Sequence, residues 1–373
     1  MKPNARILLT GGGSGGHFYP LIALAEALNA RGGVELFYIG PEPYDSKALE
    51  TEGITFVSCP AGKQRRYPSI LNFLDIFKVL AGFFVAFYKL YILYPDVVVS
   101  KGGYTSVPII LAAAFFRIPI VVHESDTRPG RANALAAHFT PHVAISFEDV
   151  RQFFPKHEAT LTGIPVRKKL LESIPDAASL LELDTKLPTI LILGGSQGAE
   201  RLNTLVLELL HTLLPAYNVI HQTGRQHFDV TVLSARELVE DNALLGRYRP
   251  IAFFDNPSTL ATAYSAASLI ISRAGTGTIY EIALHGKPSI LIPIPEGISH
   301  DQRTNAFAYA RSGAASVIEE ANLRDSLLME EITRIIKNTA LYTDMAMKAT
   351  HFAPQNGALL LADMVSSIAD SHT

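Results

Sequence analysis

Short apolar runs, mostly β-branched or leucine-rich, recur along the 373-residue chain, and stretches of helical periodicity separate them. The first set comprises Ala5–Thr10 (ARILLT), Glu35–Gly40 (ELFYIG), Asp96–Ser100 (DVVVS), Ile118–His123 (IPIVVH) and Val143–Ser146. After Pro165 the rhythm restarts with Thr189–Leu193 (TILIL), Tyr217–Gln222 (YNVIHQ), Leu269–Ser272 and Ser289–Pro293 (SILIP). Near-continuous apolar strands alternating with helices predict parallel sheets covered on both faces, an α/β doubly wound architecture. A weak internal repeat predicts two such sheets, because ARILLTGGGSGGHFYP at 5–20 resembles TILILGGSQGAERLN at 189–203. The expected domains are therefore 1–164 and 165–345, meeting near Gly163-Ile164-Pro165. The tail 346–373 loses the alternation. It reads as a helix with Met347, Phe352, Leu359, Leu361 and Met364 as apolar positions, expected to return to the first domain.

Composition supports two cores, with 48% apolar and 18% charged residues. A net charge of -3 gives no basic footprint, so no nucleic-acid partner is expected. A single cysteine, Cys59, excludes an intramolecular disulfide framework and fits a reducing compartment. The opening MKPNARILLTGGG runs straight into a strand-like segment without a signal-type apolar region, so export is not expected. The most apolar stretch, Ile70 to Tyr94, is interrupted by Asp75, Lys78 and Lys89. Its uncharged part, Val79 to Tyr88, falls well short of the roughly 20 residues that span a bilayer. With Phe73, Phe77, Phe83, Phe84, Phe87 and Tyr91, and Lys63, Arg65 and Arg66 before it, it fits a helix lying on an anionic lipid surface. A buried core helix would carry the same pattern.

Glycine-rich loops carry the candidate chemistry. Gly11, Gly13 and Gly16 form a G-x-G-x-x-G after the first strand, leading into a helix expected from about Pro20. Glycines let the backbone approach phosphate oxygens, and a helix N-terminus adds unpaired N–H groups and a positive dipole end. A dinucleotide site would need an acidic residue at the end of the second strand. Glu35 instead begins that strand, which weakens the reading. Three more loops follow apolar strands: Lys101–Tyr104, Gly194–Gly198 and Arg273–Thr278. All should lie on the carboxyl edges of their sheets, where doubly wound folds bind ligands.

The motifs GGGSGGH (11–17), GGYTSVP (102–108), HE (123–124), PGRAN (129–133), GIPVR (163–167), GGSQGAERLN (194–203), SRAGTGTIYE (272–281) and DQRTNA (301–306) occur in order. Together they resemble the MurG family within glycosyltransferase family 28, peripheral membrane enzymes that add N-acetylglucosamine to lipid I to make lipid II. The resemblance runs from residue 5 to about residue 310. It implies a GT-B fold, two Rossmann-like domains facing a cleft, with the lipid acceptor on the N-terminal domain and the UDP-sugar on the C-terminal one. It further implies a place on the cytoplasmic face of the bacterial plasma membrane, with UDP-N-acetylglucosamine, lipid I and the anionic membrane surface as partners.

The residue chemistry suits that expectation. A departing UDP needs its charge stabilised by a metal or by protein cations and dipoles. No D-x-D motif is present, so no metal or cofactor is expected, the nucleotide sugar being a substrate. The helix N-termini at Ser196 and Gln197 and at Gly275, Thr276, Gly277 and Thr278 can serve instead, with Arg167, whose planar fork suits oxygen-rich anions. The resemblance gives Glu281 the ribose hydroxyls, although a carboxylate there could simply complement the helix dipole. It gives the uracil to the backbone of Phe254, and the sugar to Gln302 and Asn305. Ser14, Gly15, Gly16 and Asp126 are expected to meet the donor from the first domain. Gly13, Gly103, Tyr104, Arg128 and Asn133 are expected to hold the acceptor. For the proton on the attacking hydroxyl, His17 is the first candidate base and Glu124 the second; His17 could equally serve the loop alone.

Some positions depart from the family. Its H-E-Q-N reads His123-Glu124-Ser125-Asp126, which removes N–H donors and adds negative charge on the acceptor side unless Arg128 or Arg131 compensates. Gly277 and Tyr280 also differ. A different lipid acceptor, an epimerase of UDP-N-acetylglucosamine and a silent nucleotide-sugar binder therefore stay open.

Overall fold

The structure is a computed structural model describing residues 4–62, 70–195, 199–299 and 301–372, with the side chains of 70–78 left aside. It divides into two compact units, residues 1–167 with 355–373, and residues 168–354. The first change therefore falls after Arg167 rather than after Ile164. The tail joins the first unit at Gln355 rather than at Ala346.

The first unit runs β1 (Ala5–Thr10), α1 (Gly15–Arg31), β2 (Val34–Gly40), α2 (Ser46–Thr51), β3 (Thr55–Ser58), α3 (Ile70–Leu93), β4 (Val97–Ser100), α4 (Val107–Phe115), β5 (Ile120–Glu124), α5 (Arg131–Ala136), β6 (His142–Ile145) and β7 (Glu158–Leu161). The strands pair in the order β3-β2-β1-β4-β5-β6-β7, all parallel. Alternation of side chains explains the two faces. Ile7, Leu9, Val97 and Val99 pack with Leu21, Leu24 and Leu28 of α1. Leu8, Val98, Ile120 and Val122 go to the opposite side, with Ala86, Leu90, Ile109 and Ile110 of α3 and α4.

The second unit runs α6 (Ala177–Leu180), β8 (Thr189–Leu193), α7 (Glu200–Leu213), β9 (Asn218–Gln222), α8 (Phe228–Leu238), α9 (Asn242–Leu245), β10 (Tyr248–Ile251), α10 (Pro257–Ala266), β11 (Leu269–Ser272), α11 (Thr276–Leu284), β12 (Ser289–Leu291), α12 (Gln302–Arg311), β13 (Ala315–Val317), α13 (Asp325–Lys337) and α14 (Thr339–Phe352). Its strands pair in the order β10-β9-β8-β11-β12-β13, also parallel. Ile190, Ile192, Leu269 and Ile271 pack with Leu202, Val206 and Leu210 of α7 and Ile332 of α13.

Two expectations about helices are corrected. Helix α1 starts at Gly15, not near Pro20, so the proline sits inside the helix; there it forfeits the bond its own N–H would make, and its ring crowds the Gly16 carbonyl one turn back. The tail forms two helices, because Pro354 interrupts the run. Helix α14 ends at Phe352 and α15 spans Gly357–His372. Leu361, Ala362, Val365 and Ala369 of α15 are buried among the first unit's α1 side, while Met347 and Leu359 point to solvent. Arg31 of α1 pairs with Asp363 at 2.5 Å.

Candidate functional site

Each sheet reverses its strand order between two central neighbours, β1 and β4 in the first unit and β8 and β11 in the second. Doubly wound folds bind ligands beside such a switch point, beyond the carboxyl ends of the strands. All four glycine-rich loops follow these four strands. They form two candidate half-sites, one in each unit.

In the first unit the loops after β1 and β4 touch through glycine. A Cβ on Gly103, whose φ is 83°, would stand 2.8 Å from the Gly12 carbonyl oxygen, so only glycine lets the backbones meet. The Tyr104 ring lies over Gly13, 3.3 Å from where its Cβ would be. Ser14 is the N-cap of α1 but its hydroxyl makes no capping bond, so it does not satisfy the first-turn amides at Gly15 and Gly16.

The next turn of that loop holds His17. Its Nδ1 lies 3.1 Å from the Lys101 carbonyl oxygen. A carbonyl can only accept, so Nδ1 carries the proton and Nε2 keeps its lone pair. Desolvation, followed by the neighbouring Lys101 charge, lowers the imidazole pKa to about 4. The ring is therefore neutral at physiological pH.

Glu124 ends β5 and is buried. One carboxylate oxygen accepts from the amides of Ser125 (2.8 Å) and Asp126 (3.0 Å). The other accepts from the Gly130 amide and from Asn133 Nδ2, both at 2.9 Å. Burial raises its pKa, against those hydrogen bonds. Four donors on two oxygens make Glu124 the anchor of the 124–130 loop. Asn133 is buried in the same network, so it holds this loop rather than offering its amide to solvent. Asp126 is half-buried, and Arg128 and Arg131 are exposed on the surface. Arg167 belongs to the first unit, not the second, and its guanidinium lies 4.2 Å above the Tyr19 ring of α1.

In the second unit Gly275 caps α11 without a side-chain bond, and Thr276, Gly277 and Thr278 form the partly accessible first turn. Glu281 stands on the following turn and receives the Tyr264 hydroxyl at 2.8 Å. Tyr264 is fully buried on α10 and stacks on His285 at 4.6 Å, whose Nε2 donates to the Leu170 carbonyl at 2.9 Å. Nothing in the sequence marks Tyr264, which lies 17 positions before the carboxylate it orients. Phe254 is buried, with 8% of its surface accessible. Gln302 starts α12, and its side-chain oxygen accepts from the Ile294 amide at 3.2 Å. Asn305, on the same helix, is buried with 1% accessible, so it does not line the surface. Ser196 and Gln197 lie outside the described residues. Gly195 just before them is held by Gln222 Nε2, 2.9 Å from its carbonyl oxygen.

Helix α3 presents an apolar surface. Leu80, Phe84, Tyr88 and Tyr91 follow helical spacing and are 51–68% exposed, joined by Ile92 and by Phe115 of α4. The opposite side of α3 packs in the core through Ala86 and Leu90. Gly82 lies so close to the Pro60 carbonyl that a Cβ would overlap it. Lys63, Arg65 and Arg66 lie outside the described residues, as do the side chains of Phe73 and Phe77. Among the described residues no helix is long and apolar enough to cross a membrane.

The model of the glycosyltransferase family 28 N-terminal domain matches residues 7–145, and that of the family 28 C-terminal domain matches residues 189–358. This chain belongs to glycosyltransferase family 28. A relative from Lachnoclostridium phytofermentans is 37% identical over 95% of this chain and 96% of its own length. One from Treponema denticola is 33% identical over 97% of both. Both are named UDP-N-acetylglucosamine--N-acetylmuramyl-(pentapeptide) pyrophosphoryl-undecaprenol N-acetylglucosamine transferase. The solved structure of Acinetobacter baumannii MurG superposes with a TM-score of 0.74 at 26% identity, covering 97% of this chain and 99% of that one. The family 28 chain thus has the GT-B fold of two Rossmann-like, doubly wound units.

Proposed function

We infer that this chain transfers N-acetylglucosamine from UDP-N-acetylglucosamine to the C4 hydroxyl of the muramoyl sugar of lipid I, giving lipid II. The observation that carries this is the end-to-end match to relatives of that name, with both family domains in place.

The half-sites fit the chemistry. His17, neutral with Nε2 unprotonated, would take the hydroxyl proton as the oxygen attacks the anomeric carbon. A pKa of about 4 makes it a weak base in the empty protein; an anionic substrate beside it would raise that value. The new glycosidic bond forms as the bond to the diphosphate breaks, inverting the α-linked donor to a β linkage. Charge developing on UDP would meet the amides of the α11 N-terminus. Glu281, held by Tyr264, would accept from the ribose hydroxyls. The exposed face of α3 would rest on the anionic inner leaflet, holding the enzyme peripherally at the cytoplasmic face of the plasma membrane where lipid I resides.

Incubation with labelled UDP-N-acetylglucosamine and a lipid I analogue tests the reaction. Label should enter the lipid product. Label confined to a free epimer, or nucleotide binding without turnover, would sink the inference.

A further inference from the structure

One turn beyond Glu281, helix α11 gives way to His285. Residues four apart lie on the same helix face, so Glu281 and His285 look out together. Tyr264 of α10 fits across the two. Its hydroxyl donates to Glu281 at 2.8 Å, while its ring lies flat on the imidazole, the centroids 4.6 Å apart and the planes within 13°. A phenol O–H points where its ring directs it, so whatever fixes the ring also fixes the bond to the carboxylate. The imidazole is itself fixed. Its Nε2 lies 2.9 Å from the Leu170 carbonyl oxygen, which can only accept, so Nε2 carries the proton. Desolvation lowers the pKa of this ring, which is therefore neutral at physiological pH. Leu170 is buried in the turn Lys168–Leu171, where the chain enters the second unit. The Ile174 amide donates to Ser265 Oγ at 3.0 Å and ties the same segment to α10.

Carbonyl, imidazole, phenol and carboxylate thus form one chain of contacts that ends on Glu281. A second tie between the two helices takes no part in it. Lys287 Nζ, just past α11, donates to the carbonyls of Ala267 and Ser265 at the end of α10, at 2.7 and 3.4 Å. The helices are therefore fastened without His285, and what the imidazole adds is the orientation of the Tyr264 ring. We propose that His285 is a positioning residue for the donor: anchored on the Leu170 carbonyl, it sets the Tyr264 ring, which holds the Glu281 carboxylate ready to accept the ribose hydroxyls. This rests on reading Glu281 as the ribose ligand. A carboxylate already oriented spares the cost of ordering it when the nucleotide arrives. The loss of His285 therefore shows in donor affinity, not in the chemical step.

Calorimetry of UDP binding to the full chain tests this with His285→Leu, Tyr264→Phe and the pair. His285 is only partly buried, so leucine should fold there. Each single change should weaken UDP about tenfold, within the range of coupled neighbours, and the pair should weaken it no further. His285→Phe keeps a ring to stack on and should lose less than His285→Leu. Lys287→Met cuts the other tie between the helices, so it should lower thermal stability and leave UDP affinity as it was. In the transfer assay, His285→Leu should raise the donor KM with kcat little changed. Unchanged UDP affinity in His285→Leu, losses that multiply in the pair, or an equal loss in Lys287→Met would each overturn the proposal. If Glu281→Ala binds UDP as the wild type does, the reading of the donor site fails instead. His285 is then judged by NMR, where the Tyr264 hydroxyl proton should exchange with water faster in His285→Leu than in the wild type; equal exchange overturns the proposal there too.

Discussion

Tyr264 shows how much of a binding carboxylate depends on a residue that never meets the ligand. Its hydroxyl donates to Glu281 from a fully buried position, and a hydrogen bond to a charged group contributes about 1.5–3 kcal/mol. Tyr264→Phe should therefore raise the donor KM by roughly tenfold while sparing the fold, since only the hydroxyl is lost. Glu281→Ala should raise it further, by about a hundredfold, because both ribose contacts would go. Competition by UDP alone checks both, and unaffected UDP-sugar affinity in Glu281→Ala would remove Glu281 from the donor site. Glu281 was legible because it follows a glycine loop in a recognisable motif. Tyr264 was not, because it reaches Glu281 from another helix. Glu124 shows the converse. Its motif marks it as important, but only the fold reveals four donors closing on it, and with them a structural task.

The elements missed in the sequence share one physical cause. The central strands read clearly because both faces are buried, as in VVVS of β4 and TILIL of β8. The overlooked ones, β3, β7, β10 and β13, are the four edge strands of the two sheets. Their sequences TFVS, EATL, YRPI and ASV mix polar and apolar residues because one flank meets solvent. Pro250 in β10 is tolerated for the same reason, since an edge strand has ladder positions with no partner to serve. Helix α3 poses the opposite difficulty. Its composition allows either a core helix or an interfacial one, and packing divides it into a buried side and an exposed aromatic side. Phe84→Ser with Tyr88→Ser should weaken binding to vesicles containing anionic lipid by tenfold or more, since burying one such side chain contributes about 1.5–3 kcal/mol. Thermal stability should hardly change, because both side chains are exposed. Vesicle binding equal to wild type would remove α3 from the membrane surface.

At the scale of the whole molecule, buried histidines govern the response to acid. Desolvation lowers His17 to about 4 and His221 to about 3, and carries His123 well below its ordinary value. All three regain a pKa near 6.5 on unfolding, so below that pH the unfolded chain binds more protons. Their contribution to stability is complete above about pH 6.5 and is lost progressively as pH falls, through about 4 for His17, about 3 for His221 and further for His123. Glu124 opposes this, since its raised pKa favours the folded state as acid protonates it. Denaturant titrations should show stability several kcal/mol lower at pH 4.5 than at pH 7, three groups outweighing one. Equal midpoints at the two pH values would contradict the neutral, buried state of these rings.

Local pattern by itself determined the class of the fold, its two units, the four glycine loops and the family, because each is written in contiguous residues. Burial on both faces makes central strands apolar, and glycine is needed wherever backbone must approach backbone or phosphate. The tertiary structure alone decided which strands are edges, that Arg167 sits over Tyr19 in the first unit, and that the tail breaks at Pro354. It also decided that Lys101 is buried at the end of β4 with its Nζ unpaired. Those facts depend on parallel pairing of strands far apart in the chain, and no local pattern records which side chains such pairing brings together.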